Sequence, residues 1–268
     1  MVSFPNCKIN LGLHITGKRA DGYHNLETIF YPINLKDIIE IIPSEKFQFN
    51  SSGSRVNGSP DDNLCARAYQ LLQKDFPSTT QINMWLHKHI PMGAGLGGGS
   101  ADGAFTLKLL NEKFQLNLST RQLIGYASQL GSDCPFFILN KPCFATGRGE
   151  MLEPIDLDLS HYSFVLVCPH LHISTAWAFS QIKPKPAKIN LKEIIKQPVG
   201  TWKDELKNDF ERPVIEHYPE LKEIPRKLYD AGALYTSMTG SGSAFYGIFK
   251  KNNIDKFNFS DNFETFIC

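Results

Sequence analysis

The sequence has no Cys-x-x-Cys pair, although six cysteines are spread along it at Cys7, Cys65, Cys134, Cys143, Cys168 and Cys268. That speaks against zinc and dithiol motifs and leaves free thiols, most of them small core residues, as the expectation. No apolar run approaches the length of a membrane span. The opening Met1–Lys8 lacks the long apolar core of a signal peptide, so a reducing cytoplasm is the expected location. Neither sign of charge is in excess: the net charge is +1, which points away from nucleic-acid and membrane partners. There is no Gly-Lys-Ser or Gly-Lys-Thr, so no P-loop. There is no His-Arg-Asp and no Asp-Phe-Gly, so the protein-kinase set is absent. No repeat is visible. His87, His89, His161, His170, His172 and His217 lack metal-ligand spacing, so no metal site is expected.

What is abundant is glycine, in one place. Pro91, Met92, Gly93, Ala94, Gly95, Leu96, Gly97, Gly98, Gly99, Ser100 and Ala101 form a glycine-rich turn that runs straight into a helical pattern. Glycine lets backbone N–H groups crowd around a ligand without Cβ obstruction. A helix N-terminus adds unpaired donors and partial positive charge. Together they make an anion site, most often for phosphate. Gly93, Gly95 and Gly98 fit Gly-x-Gly-x-x-Gly. A dinucleotide fold, however, needs a strand after the helix, and a second helix is predicted there. A second glycine turn, Thr239-Gly240-Ser241-Gly242-Ser243, lies between two predicted strands. It reads either as a plain hairpin or as a second phosphate-facing wall.

Strands are predicted over 7–15, 26–34, 37–42, 82–86, 143–146, 162–168, 233–238 and 243–249. Helices are predicted from Asp62 or Asn63, from about Ser100, from the Ser119–Gln122 capping box to Gly131, and over 175–182, 201–209 and 220–231. Residues 47–60 are polar and predict a hairpin or loop, and Lys183–Lys188 predicts a solvated basic loop. Strands, then helices, then a mixture argue α+β, with a boundary near 150–160 that divides the chain into 1–153 and 154–268.

Three segments together, Pro5-Asn6-Cys7-Lys8-Ile9-Asn10-Leu11, the 91–101 loop and Met238–Ala244, resemble the GHMP kinase superfamily in order and spacing. Arg19-Ala20-Asp21-Gly22-Tyr23-His24 and Gly131-Ser132-Asp133-Cys134-Pro135 narrow the likeness to one branch. Its members phosphorylate the 2-hydroxyl of a cytidine diphosphate ester of methylerythritol in the non-mevalonate isoprenoid pathway. The resemblance implies a two-domain α+β fold: an N-terminal domain with a left-handed crossover and a ferredoxin-like C-terminal domain. Substrate and ATP, with Mg²⁺, would meet in the cleft between them. Another small alcohol as acceptor is the alternative, and a nicotinamide-dependent oxidoreductase a weaker one.

The resemblance also assigns roles. Asp133 matches the general base, although before Cys134-Pro135 it reads as a helix cap. Lys8 matches the catalytic lysine, although alone it reads as a solvated charge. Asn10, on the same strand face, would bond the diphosphate or the erythritol hydroxyls. Tyr23 and His24 would stack on and hydrogen-bond the cytosine, with Phe179 as the opposite aromatic, while Trp177 reads as core. The 91–101 loop would wrap the ATP phosphates, and Gly240, Ser241 and Gly242 would face the substrate. Asn63 and Lys88 match the adenine or ribose pocket, and read equally as a helix cap and an exposed strand-end charge. Gly98-Gly99 depart from the usual Ser-Ser, where a serine helps hold magnesium.

Overall fold

A computed structural model describes residues 1–54, 59, 62–77, 79–187, 189–251 and 263–268. In chain order the strands are β1 (Val2–Ser3), β2 (Asn6–Lys18), β3 (His24–Lys36), β4 (Ile38–Pro43) and β5 (Gln48–Gly53). Helix α1 (Leu64–Asp75) and strand β6 (Ile82–Lys88) follow, then α2 (Gly98–Lys113), α3 (Thr120–Leu130) and α4 (Cys134–Leu139). Next come β7 (Cys143–Thr146), β8 (Met151–Pro154), β9 (Tyr162–Pro169), α5 (Thr175–Ser180) and α6 (Leu191–Ile194). The chain ends in α7 (Glu211–His217), α8 (Glu223–Asp230), β10 (Tyr235–Met238), β11 (Phe245–Lys250) and β12 (Phe263–Ile267). This is the α+β mixture the sequence predicts. Among the described residues no helix is long and apolar enough to cross a membrane. All six cysteines are free thiols, and five of them are buried.

The chain forms two compact units that interleave in sequence. One comprises Met1–Cys7, Asn34–Met92 and Gly97–Lys141; the other Lys8–Ile33, Gly93–Leu96 and Pro142–Cys268. The glycine loop thus contributes residues to both.

The first unit contains a sheet in the order β1-β4-β6-β5. β4 runs antiparallel to β6, whereas β5 runs parallel to it, with Gln48 opposite Asn83. A parallel neighbour requires a crossover, and α1 supplies it. In β6 the period-2 alternation buries Ile82, Met84, Leu86 and Lys88 and turns Trp85 and His87 outward. Asn63 caps α1 by accepting from the Cys65 N–H at 2.9 Å. The capping box at Ser119–Gln122 starts α3 as predicted, and Gly131 ends it. Proline at the first turn of α4 and Asn140 in the left-handed conformation after it confine that helix to six residues.

The second unit contains two sheets, β10-β11-β9-β12 and β2-β3-β7-β8. Val165 and Val167 of β9, Phe245 and Phe249 of β11, Phe210, and Ile224 and Leu228 of α8 pack into one apolar core. Trp177 is half-buried against it, as expected of a core-facing helix residue.

Two expectations are corrected. The polar 47–60 segment is not a hairpin: residues 48–53 form the edge strand β5. Its backbone pairs with β6, and two of its polar side chains bond across to that strand: Asn50 Nδ2 donates to Asn83 Oδ1 at 2.8 Å, and Ser52 Oγ lies 2.9 Å from His87 Nδ1. Residues 55–58 and 60 of that segment, like Lys188 of the basic loop, lie outside the described residues. Residues 201–209 are not one helix. A 3-10 turn at Val199–Asp204 gives way to extended backbone, because Leu13 claims it: Leu13 N–H donates to Lys207 O and Asp209 N–H to Leu13 O, each at 2.8 Å.

Candidate active site

The glycine loop ends in α2. Gly97 is the N-cap residue, in the left-handed conformation, and supplies no capping side chain. The helix begins at Gly98, two residues before the expected start, so the first-turn N–H groups form an uncapped donor cluster suited to an anion. The two glycines that replace Ser-Ser differ. A Cβ on Gly98 would come within 2.9 Å of Ile90 and 3.2 Å of the Lys88 ammonium, whereas one on Gly99 meets nothing within 4 Å. Tight packing thus explains Gly98, and nothing in the described structure requires Gly99.

The second glycine turn packs against the first, backbone on backbone. Gly95 has φ +80°, and a Cβ there would come within 2.2 Å of Thr239 O. Ala244 N–H donates to Ala94 O at 3.1 Å, and Asn208 Nδ2 donates to Met238 O and Gly240 O at 2.8 and 2.9 Å. A plain hairpin would need none of these ties.

Lys8 lies at this junction, 3% exposed. Its Nζ donates to Asn10 Oδ1 at 2.7 Å and to Gly95 O at 2.9 Å, and it sits over the Phe30 ring at 5.1 Å. It is a buried ammonium aimed by its neighbours, not a solvated charge. Asn10, two residues on, is 2% exposed and lies within a dense set of hydrogen bonds to Lys8, Thr28, Thr239 and Gly240.

Lys88 departs from the reading as an exposed strand-end charge. It is 2% exposed, so it is no surface charge. Its Nζ pairs with Asp37 Oδ2 and, at 2.8 Å, with Asp102 Oδ2. Asp37 Oδ1 also accepts from the His89 and Ile90 N–H groups at 2.6 and 2.8 Å. Burial works against the lysine's charge, yet the Asp102 and Asp37 carboxylates hold its pKa above the usual range. Burial pushes Asp102 up to about 7, against the pull of Lys88, and Asp102 Oδ1 has no hydrogen-bond partner. The alternation of β6 signals this inward lysine, but Asp37 and Asp102 carry no comparable sign in the sequence.

Asp133 is half-buried and precedes α4, but its side chain makes no cap bond to that helix. His24 and Phe179 are together, stacked at 4.9 Å with ring planes 20° apart. Tyr23 is exposed, and the Arg148 guanidinium lies over its ring at 4.9 Å. Ser241 Oγ lies 3.2 Å from Thr175 Oγ1.

Comparison with known proteins agrees with this architecture. The family described as "GHMP kinases N terminal domain" matches residues 63–141, and "GHMP kinases C terminal" matches 190–257. A 4-diphosphocytidyl-2-C-methyl-D-erythritol kinase of Bacteroides fragilis is 52% identical over 98% of this chain and 97% of its own. Its counterpart in Cytophaga hutchinsonii is 46% identical over 93% of this chain and 92% of its own. A crystal structure of a 4-(cytidine 5'-diphospho)-2C-methyl-D-erythritol kinase superposes with TM-score 0.80 at 31% identity, covering 92% of this chain and 90% of that one. From the lysine strand and paired glycine turns through to relatives matched almost end to end, the conclusion is that this chain belongs to the GHMP kinase family.

Proposed function

We propose that the chain transfers the γ-phosphoryl group of ATP to the 2-hydroxyl of 4-diphosphocytidyl-2-C-methyl-D-erythritol, in isoprenoid precursor synthesis in the cytoplasm. The observation that carries this reading is the near-full-length likeness to kinases of that name at 46–52% identity. The Asp21-Gly22-Tyr23-His24 segment supports it. The family-model matches fall on either side of residue 153, in keeping with functional domains at 1–153 and 154–268.

Asp133 takes the proton of the substrate hydroxyl as its oxygen bonds to the γ-phosphorus. The bond from that phosphorus to the ADP oxygen breaks, and ADP leaves. Lys8 offers positive charge to the attacking oxygen and the transferring phosphoryl group. The 91–101 loop holds the triphosphate through backbone N–H groups, with Asn63 at the nucleoside end. Lys88 braces Gly98 of this loop from within its own unit. Tyr23, His24 and Phe179 bind cytosine, and Gly240, Ser241 and Gly242 face the acceptor. Among the described residues no group of three or more His, Cys, Asp or Glu is placed to hold a metal ion. Bound with ATP, magnesium would neutralise the β and γ phosphates.

The test is ADP release by the purified protein offered the cytidyl substrate, mevalonate, homoserine or galactose in parallel. Release with the cytidyl substrate is expected, and release with only one of the other three overturns the assignment. Asp133→Asn should lower kcat by about 10³–10⁴-fold, in the upper part of the usual range for a general base, while ATP still binds. A decrease of only a few-fold would remove Asp133 from that role.

A further inference from the structure

We propose that Asn208 and Glu211 are positioning residues: together they fix the backbone path of the second glycine turn, and through it the face that turn offers to the acceptor. This rests on the reading of Gly240, Ser241 and Gly242 as the acceptor side, but not on which alcohol is the acceptor.

The two side chains grip one stretch of backbone. Asn208 Nδ2 carries two hydrogens, and both are used: it donates to Met238 O at 2.8 Å and to Gly240 O at 2.9 Å. Glu211 Oε2 accepts from the Met238 N–H at 2.8 Å and from Ser237 Oγ at 2.9 Å. The Asn208 amide is itself aimed, because its Oδ1 accepts from the Phe210 N–H at 3.0 Å, and the residue is 4% exposed. The segment that carries both residues is anchored to β2, the strand of Lys8. Leu13 brackets Asn208, donating to Lys207 O and accepting from the Asp209 N–H. The turn is thereby referred to the strand that presents the lysine, and the Gly240 N–H meets that strand at Asn10 Oδ1, 3.0 Å away.

An edge strand needs its outward N–H and C=O groups covered, and β10 lies at the edge of its sheet. That need accounts for the bonds to Met238, where the pairing with β11 ends opposite Phe245. It does not account for the bond to Gly240 O, which lies beyond the strand, in the turn. The path of that turn is tightly prescribed: Gly240 has φ +57°, and a Cβ there would come within 3.1 Å of the Gly95 backbone. The residue type at 208 fits the task. Two carbonyls need two hydrogens from one group, and aspartate supplies none and serine one.

The experiment compares Asn208→Ser, Glu211→Ala and Asp209→Ala, using ATP and whichever alcohol of the panel above supports turnover, with thermal melting to give the folded fraction. Asp209 is the control. It lies in the same segment, but its carboxylate bonds β2 rather than the turn: Oδ2 accepts from the Ile15 N–H at 2.8 Å, and Oδ1 lies 3.4 Å from His14 Nδ1. A misplacement of about 1 Å at a reacting centre can cost about 10²-fold in rate. Asn208→Ser should therefore lower kcat/KM for the acceptor about 10–100-fold, and Glu211→Ala about 3–10-fold, with KM for ATP within about two-fold. Asp209→Ala should lower Tm yet keep kcat/KM within about two-fold of wild type. Unaltered kinetics in Asn208→Ser, an equal loss of kcat/KM in Asp209→Ala, or a rise in KM for ATP equal to that for the acceptor overturns the proposal. If Asn208→Ser does not fold, Glu211→Ala decides against the same control. Gly242→Ala, which strains the turn directly at φ +93°, separates this inference from the reading beneath it. Unaltered acceptor kinetics there refute the acceptor role of the turn, and this inference with it. A loss there with none in Asn208→Ser refutes this inference alone.

Discussion

Two lysines are buried in this molecule to the same degree, Lys8 at 3% exposure and Lys88 at 2%, and their surroundings differ in kind. Lys8 donates to an amide oxygen and a peptide oxygen, both neutral. Lys88 donates to two carboxylates. The amide and peptide acceptors aim the Lys8 ammonium at the glycine turns. The two carboxylates more than cancel the charge of Lys88, and the cluster of Lys88, Asp37 and Asp102 has a formal charge of −1 when all three are ionised. Burial alone therefore does not show what a lysine does: Lys88 is tied into an ionic cluster beside Gly98, whereas Lys8 is held at the paired glycine turns.

Substituting each lysine by methionine, close in length and uncharged, probes that distinction. Lys8→Met should lower kcat by about 10²–10³-fold, as expected when an electrostatic stabiliser is removed from a transition state. Its melting temperature should change little, because Asn10 Oδ1 keeps Gly240 N–H and Thr239 Oγ1 as donors. Lys88→Met should do the reverse. Removing one partner from a buried ionic cluster costs about 3–5 kcal/mol. At roughly 2–4 °C per kcal/mol for a chain of this size, Tm should fall by about 6–20 °C, with kcat per folded molecule near wild type. Equal losses of stability from the two substitutions would erase the distinction.

Asp102 gives the smallest and most specific effect. Its pKa is raised by burial to about 7 from an ordinary 3.8. Between those values the folded chain holds a proton that the unfolded chain has released. The resulting stabilisation is complete below about pH 4 and is lost as pH rises through 7. Asp102→Asn has no such proton, so its Tm relative to wild type should climb from pH 5 to pH 8. Melting curves that stay parallel across that interval would show that Asp102 does not titrate there.

Much of the fold was legible because local chemistry and tertiary structure agree. Ser119 and Gln122 form the capping box they spell, and the glycine loop opens the helix predicted after it. Residues 48–53 were illegible because an edge strand needs only a partner's backbone, which composition does not report. The 201–209 segment failed for the same reason, since Leu13, nearly two hundred positions earlier, determines its conformation. At the candidate site the two glycine turns are legible in the sequence, but the burial of Lys88 is not. Ile82, Met84 and Leu86 set an inward alternation that reaches Lys88, yet its charge suggested an outward position. The contacts of Asn10 with Thr28, Thr239 and Gly240 are likewise not legible, because only folding brings those residues together.

The contact between Gly95 and Thr239 bears on how this sequence can vary. A carbonyl stands where any side chain at Gly95 would go, and the two positions are 144 residues apart. Recombining the front of this chain with the rear of a relative joins the two turns from different parents. Such a chimera inherits a lock and a key cut separately. It should assemble only when the incoming rear segment carries the same backbone path through its glycine turn, whatever the overall identity of the parents.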